Sequence, residues 1–349
     1  MPIDLSCAVL TAAYYLAEAA YADSAKKVDY QVEVGVANAL IENTTARIEV
    51  VNENNKKRQA KIYWTSLCNQ TVSDETPDYC EISGVEADAE CKTFDLSERV
   101  NASFTIDEKN YANSNLDVAQ VFADNMLKTM KALDEAVAQR LMAKLATFTS
   151  ANLYQEGLGC TDETGNWVST YINPSYWSPS IMAYFARVSK MNKFQNPFLI
   201  DGGNLFDHWV SAMTNEANAN GKGAAAYFKM MKFYSDLFNV ETVTPKGTYM
   251  IDRGATAVAN WAEWKSATQQ TAIKHGTDGV KYSIASKNIP GFYYDVYVKK
   301  NCSGKYEKLD VLIDTEFDLF NGASSCGGAT GVLEFICGAC PTVEAGSGS

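Results

Sequence analysis

The chain has 349 residues, 46% hydrophobic and 21% charged, enough to bury a substantial core as one large or two modest domains. Its 30 Lys and Arg against 42 Asp and Glu give a formal net charge of -12, which excludes the basic footprint of a direct nucleic-acid reader. No run of about 18 uninterrupted apolar residues occurs, so no bilayer span is expected.

In chain order, the first feature is the apolar stretch Ala8 to Ala22, which superficially resembles a secretory signal. Its charges are wrong for one: Asp4 precedes it, Glu18 interrupts it, and the first lysine is Lys26, so it reads as an amphipathic arm helix. Residues 28 to 112 carry the β-branched runs Arg47 to Val51, Lys61 to Thr65 and Ala102 to Ile106, separated by polar stretches such as Asn52 to Arg58. That pattern predicts an antiparallel hairpin with long strands. Between Cys68 and Cys91 the chain is acidic and aperiodic, with Asp74, Glu75, Asp78, Glu81, Glu86, Asp88 and Glu90, and reads as an exposed tip or excursion.

The strongest local signal begins at Asn115. Phe122, Met126, Met130, Leu133, Val137, Leu141, Leu145 and Phe148 recur at steps of three and four, forming one apolar helical stripe. Ser114 or Asn115 can cap its start, Asp117 suits the first turn, and no Gly or Pro follows before Gly157. The helix therefore runs about 30 residues, roughly 45 Å. Two readings stay open: a core helix of a bundle, or a spine laid along a sheet in a flat, elongated protein.

A turn-rich link follows, with Gly157, Gly159 and Gly165. Ser178-Pro179 then opens a helix from Ser180 to Met191 whose face is Ile181, Tyr184, Phe185 and Val188. Asn196-Pro197 stops it, Phe198-Leu199-Ile200 reads as a strand, and Asp201-Gly202-Gly203-Asn204 turns into a helix bearing Leu205, Phe206, Trp209, Val210 and Met213. Residues 224 to 238 are predicted helical, Tyr249-Met250-Ile251 a strand, and Ala255 to Trp264 a helix. From Val280 onward strands dominate: Tyr282-Ser283-Ile284, Phe292 to Val298, Leu309 to Phe317 with alternating Val311, Ile313 and Thr315, and Val332 to Ile336. Small, flexible segments, Gly322 to Gly331 and Ala345 to Ser349, bracket that last strand. The fold class is α+β, with no repeat of fixed period.

Little in the chain is built for catalysis. Only two histidines occur, His208 and His275, neither in a recognisable motif. The nine cysteines, Cys7, Cys68, Cys80, Cys91, Cys160, Cys302, Cys326, Cys337 and Cys340, are an odd number that fits no compact disulfide framework, and a reduced setting is the default. Cys337-Gly338-Ala339-Cys340 has the spacing of half a zinc site or a small redox ring, which Cys302 or Cys326 could join only in space, and it follows a last strand rather than opening a helix. Cys68, Cys80 and Cys91 can pin the excursion by one disulfide or serve as small apolar residues.

Asp201-Gly202-Gly203-Asn204 has the look of a phosphate or calcium turn, but no GxGxxG, Walker lysine or EF-hand spacing accompanies it, so it reads as a tight turn. No nucleophile elbow accompanies Asp207-His208. The aromatics of Phe292 to Tyr297 are read as strand packing. Asn-x-Ser/Thr triplets begin at Asn43, Asn69, Asn101 and Asn301, and are read as chance in an Asn- and Thr-rich chain. No catalytic, cofactor-binding or metal residue is assigned, and no cofactor is expected.

The order of elements is more informative than any motif. Arm helix, long hairpin excursion, long helix from Asn115 to Phe148, a helix followed by Pro197 to Asp201 and a second helix, a mixed domain and a return through strands: this resembles the major capsid protein of tailed bacteriophages, the Hong Kong 97-like fold. Ala132 to Leu141 looks like the end of that family's spine helix, Ile181 to Trp209 like the helix and strand that begin its peripheral region, and Leu309 to Leu319 like a late strand returning through the plate. The resemblance implies an N-terminal arm over 1–29 and an extended β loop over 30–112. It places the spine helix and peripheral domain over 113–222, an axial domain over 223–290, and return strands with the tail over 291–349.

The implied function is a non-enzymatic subunit of an icosahedral capsid that self-assembles through pentamers and hexamers around double-stranded DNA. The protein would be made in the host cytoplasm, end in the virion, meet scaffold, portal and cement proteins, and touch no membrane. Excess acid suits an inner surface that should not grip DNA. The arm, Ile3 to Tyr21, and the excursion, Tyr30 to Tyr111, would carry the intersubunit contacts. Competing readings are a secreted or surface-exposed binding or adhesion protein that uses the glycosylation triplets and cysteines, and a hydrolase with a carboxylate pair of raised pKa.

Overall fold

The structure is a computed structural model; it describes residues 32–53, 57–65, 89–110, 118–150, 152, 171–214, 231–263, 273–274, 279–303, 306–322 and 330–338. The expected arm helix, nearly all of the acidic stretch from Cys68 to Cys91, the link through Gly157 to Gly165, and most of the two small C-terminal segments lie outside the described residues.

The described chain starts with a short helix, α1 (Gly35–Glu42), then three strands, β1 (Arg47–Glu53), β2 (Lys57–Thr65) and β3 (Ala89–Asp95). These pair antiparallel into a sheet of their own, with Arg47 opposite Tyr63 and Gln59 opposite Asp95. The run Ala102 to Ile106, grouped with this hairpin on sequence, departs from it. It lies in β4 (Glu98–Asp107), which pairs along its length with β13 (Tyr306–Asn321). Local pattern identified a strand, but its partner lies about two hundred residues away, where no short-range signal reaches.

The predicted long helix is α2 (Val118–Ala146), 29 residues and about 44 Å at the standard rise. All seven stripe residues from Phe122 to Leu145 are buried, and Phe148 packs against the same core from the turn beyond. The helix lies against β4 and β13 and also touches α1, so the spine-on-a-sheet arrangement is the one observed.

The following segment contains β5 (Tyr171–Ile172), a 3-10 turn at Pro174–Tyr176, α3 (Ile181–Met191), β6 (Pro197–Asp201) and α4 (Phe206–Thr214). Ser178 and Pro179 sit just before α3, their carbonyls accepting from the amides of Ile181 and Met182. Strands stand where helices were expected in one segment and in part of another, residues 224–230 of the latter lying outside the described residues. Within 224–238, the described part holds β7 (Lys232–Ser235), parallel to β6, and then α5 (Leu237–Val243). In place of a helix over Ala255 to Trp264 stands β9 (Thr256–Trp261), preceded by β8 (Gly247–Asp252). Short apolar runs fit either period, and Ala-rich composition favours helix in isolation. Here Ala257 and Ala259 are selected for size, because β9 is pressed between the excursion sheet on one face and α1 on the other.

The remaining strands are β10 (Ile273–Lys274), β11 (Gly279–Ala285), β12 (Tyr293–Ser303), β13 and β14 (Val332–Cys337). A six-stranded sheet runs β10-β11-β12-β13-β4, and β9 takes the edge of β13 beyond the end of β12. A five-stranded sheet runs β5-β14-β8-β6-β7. These two sheets each draw strands from both sides of residue 222, so the chain passes back and forth between them. The largest core lies under α2, where Tyr294, Val296, Val298, Val311, Ile313, Phe317 and Leu319 of the six-stranded sheet face inward. A second core, built on Trp177, Phe185, Leu199, Met250 and Phe335, joins α3 to the five-stranded sheet. The whole is α+β, and among the described residues no helix is long and apolar enough to cross a membrane.

Candidate assembly surfaces

The point where the arm joins the body is tightly specified. Asp236 is fully buried and caps α5, accepting from the Asn239 backbone amide at 3.0 Å. Its other oxygen accepts from the amide of Val36 at 2.9 Å, fixing the first turn of α1 from 200 residues away. Asn239 completes the joint, its side-chain amide donating to the Glu33 carbonyl at 2.8 Å. This approach requires Gly35: a Cβ there would lie 2.2 Å from the Ser235 carbonyl oxygen. Glu33 is pushed to a raised pKa, first by burial and then by the charges of Asp236 and Glu135.

The excursion is rooted in the same way, by side chains rather than by a hinge. Ala60 and Ile62 of β2, with Ile48, Phe94 and Leu96 beside them, pack on Ala257, Ala259 and Phe320. The rings of Phe94 and Phe320 have centroids 4.2 Å apart. Arg58 lies 5.0 Å over the Trp261 ring and 3.4 Å from Glu316, pinning the edge of this contact. The opposite face carries Arg47, Glu49, Tyr63, Cys91 and Thr93 in alternation and is open to solvent.

The outward face of the six-stranded sheet is polar. Arg99, Asn101, Ser103 and Thr105 of β4 alternate with inward Val100, Ala102, Phe104 and Ile106. Arg99 grips Asp314 with two nitrogens, at 2.9 and 2.5 Å, and that geometry makes it a fork rather than a loose surface pair. Lys281 pairs with Glu263 and lies 4.8 Å over the Tyr297 ring. At the end of α2, Lys144 pairs with the buried Asp318, which also accepts from the amide and hydroxyl of Ser97. In the core, the carboxylate of Asp134 in α2 is held by neutral donors, accepting from Ser286, Asn288 and Tyr294 at 2.7 to 2.8 Å.

Burial raises the Asp134 pKa, outweighing those three donors. Its contribution to stability is therefore full below the ordinary value of 3.8 and is lost as pH rises through the folded-state value. Asp134→Asn removes this titration while keeping the shape. The stability advantage of the parent chain over the variant is expected to shrink as pH rises across that window. Paired urea unfolding curves from acid to neutral pH measure it, and a difference that widens with pH contradicts the assignment.

The motifs singled out on sequence resolve structurally. In the Asp201 to Asn204 turn, the Asp201 carboxylate turns inward and accepts from the amides of Gly203 and Leu205 and from Thr248, so the protein's own acid occupies the donors an anion would need. Gly203 has φ of 112°, which explains the glycine. His208 is exposed on α4, and His275 lies outside the described residues. Cys91 and Cys337 are free thiols, Cys340 lies outside the described residues, and among the described residues no group of three or more His, Cys, Asp or Glu is placed to hold a metal.

Of the glycosylation triplets, Asn43 is 3% exposed and its amide donates to the Ala39 carbonyl and to Tyr234, so no glycan fits there. The Asn301 amide is held by Asp310, Asn101 lies in the middle of β4, and Asn69 is outside the described residues. Gly35 and Asp236 escaped the sequence reading; an Asp three residues before Asn239, opening a short apolar run, is the capping signal that marks the latter.

The described residues form an α+β body with a three-stranded sheet packed on β9 and β13, and among them no catalytic constellation is assembled. The chain is similar to solved phage capsid structures at low identity. The cyanophage A-1(L) capsid asymmetric unit matches at 9% identity, covering 90% of this chain and 96% of that one, with a TM-score of 0.47. The capsid of Ralstonia phage GP4 matches at 10%, covering 92% and 95%, with a TM-score of 0.46. The capsid of cyanophage P-SCSP1u matches at 9%, covering 90% and 92%, with a TM-score of 0.45. No protein-family model and no curated protein matches the sequence.

Proposed function

We propose that this protein is a structural, non-enzymatic subunit of an icosahedral phage capsid, assembling with copies of itself through pentamers and hexamers into a shell around double-stranded DNA. One observation carries the reading: a 29-residue helix lies along a six-stranded sheet, and the separate three-stranded sheet is fixed to that body by buried side chains. A sheet anchored so firmly transmits load to the body, which is what a shell subunit requires and a pocket enzyme does not. The net charge of -12 supports it, since a surface enclosing DNA should not bind phosphate.

Within this reading, the arm is 1–29, the extended β loop 30–112, the spine helix and peripheral domain 113–222, the axial domain 223–290, and the return strands with the tail 291–349. The finished protein resides in the virion after synthesis in the host cytoplasm, with scaffold, portal and cement proteins as accessory partners. Burial of Asn43 weighs against the adhesion reading, which needs its triplets on surface loops.

Negative-stain electron microscopy with light scattering on the purified full-length chain tests the proposal. Shells, pentamers, hexamers or sheets are expected, and their formation should rise with salt as screening relieves repulsion between acidic copies. A chain that stays monomeric at every protein and salt concentration counts against it.

A further inference from the structure

β4 is a free edge. It ends the six-stranded sheet, and among the described residues no strand pairs with its outer side. In the two sheets of the body the other termini are shorter: β5 and β10 have two residues each and β7 has four, with Lys232 and Tyr234 bound by Glu42, while β1 and β3, which end the three-stranded sheet, have seven each against ten in β4. β4 has ten residues, in unbroken register with β13, with no proline and no lysine. Its two charged residues near the start are already committed, Arg99 to Asp314 and Glu98 to Arg140. A long, flat, unguarded edge of this kind is a template for another strand.

The core beneath the edge is also incomplete. Val100 and Ile106 are buried, but Ala102 and Phe104, which face the same way between them, are only half-buried, although Phe104 touches Phe122 with ring centroids 5.9 Å apart. A further strand with apolar residues on its inner face would close that gap.

The chain contains a segment of this pattern. From Ile3 to Val9 the sequence is Ile-Asp-Leu-Ser-Cys-Ala-Val, alternating apolar and polar up to Cys7, with Ile3, Leu5, Cys7 and Val9 on one face and Asp4, Ser6 and the small Ala8 on the other. Seven residues of strand cover about 23 Å of an edge about 33 Å long. Laid beside β4, the apolar set would fall next to Ala102 and Phe104, and Asp4 and Ser6 next to the polar row that includes Arg99, Asn101 and Ser103.

The donor copy follows from where the arm departs. Val32 and Glu33 are tied to α5, and α1 packs on β9, which takes the opposite edge of β13 from β4. About 22 residues separate Val9 from Val32, a reach of roughly 50 Å with residues 10–22 helical and the rest extended, enough to cross to a neighbour. We propose that the β4 edge accepts Ile3 to Val9 of a second copy of this chain as an added strand. The proposal rests on the capsid reading and names the contact that the arm makes.

Hydrogen exchange on full-length chain, unassembled and in shells, tests it together with crosslinking through Cys7. On assembly, the alternate β4 amides that point away from β13 should slow by about tenfold or more. Ala102→Cys, which places a thiol on the inner face, should be oxidised to Cys7 of another copy. Asn101→Cys, on the outer face, should not. If shells form while those amides stay fast, or if Cys7 joins position 101 as readily as 102, this contact is refuted and the capsid reading stands. Protection already present in dilute monomers, or a crosslink within one chain, also overturns it by making the occupant the chain's own arm. A chain that never assembles overturns both.

Discussion

Asp236→Ala is expected to destabilise the folded subunit by about 3–5 kcal/mol, because it strands the buried amides of Val36 and Asn239, each worth about 1–3 kcal/mol when left unpaired. The Asn239 side chain loses the same partner, and with it the support for its bond to the Glu33 carbonyl. Helix α1 has no other side-chain cap at its start, so its first turn should fray and free the root of the arm. Chemical unfolding measures the loss, and proteolysis should cut near residue 34 earlier than in the parent chain. Gly35→Ala should reproduce the effect by a different route, since its Cβ cannot fit against the Ser235 carbonyl without parting α1 from β7. If both variants keep parental stability and resist cleavage, the joint does not hold the arm.

What the sequence made legible, and what it hid, follows from how far each signal extends along the chain. The α2 stripe was readable because its periodicity is local and runs for eight turns, enough for the buried face to be named residue by residue. The alternation in β13 was equally plain, and Val311, Ile313 and Thr315 are all buried. β7 and β9 were misread because a strand of four or six residues is defined by its neighbours: Lys232 to Ser235 by β6, and Ala257 and Ala259 by the excursion packed against them. The same limit hid the partner of β4, and it hid the joint at Asp236, whose carboxylate accepts from Val36, 200 residues away, as well as from nearby Asn239, beside a glycine that allows the close approach. The turn at Asp201 was legible from its two glycines, but the carboxylate that satisfies it, accepting from Gly203 and Leu205, appears only in three dimensions.

Replacing the excursion sheet is expected to abolish shells while sparing the subunit, but the cut must respect the root. Deleting Tyr30 to Tyr111, the segment assigned to the excursion on sequence, would remove α1 and β4 and with them Leu40, Val100 and Ile106 of the main core, and would test folding instead of assembly. The informative variant replaces Arg47 to Asp95 with a short Gly and Ser linker, keeping Ala46, Leu96 and all of β4. This exposes Ala257, Ala259 and Phe320, a small apolar patch whose loss of cover costs about 2–3 kcal/mol at most on area grounds, so the body should still fold. Circular dichroism and a cooperative thermal transition establish that first. Electron microscopy under conditions where the parent chain forms shells should then find only free subunits or small rings, because on the proposed function the excursion carries contacts between copies that the rest of the body does not replace. Shells of parental size and yield from the truncated chain would remove the excursion from the assembly scheme and leave the arm as the remaining candidate for the contact between copies.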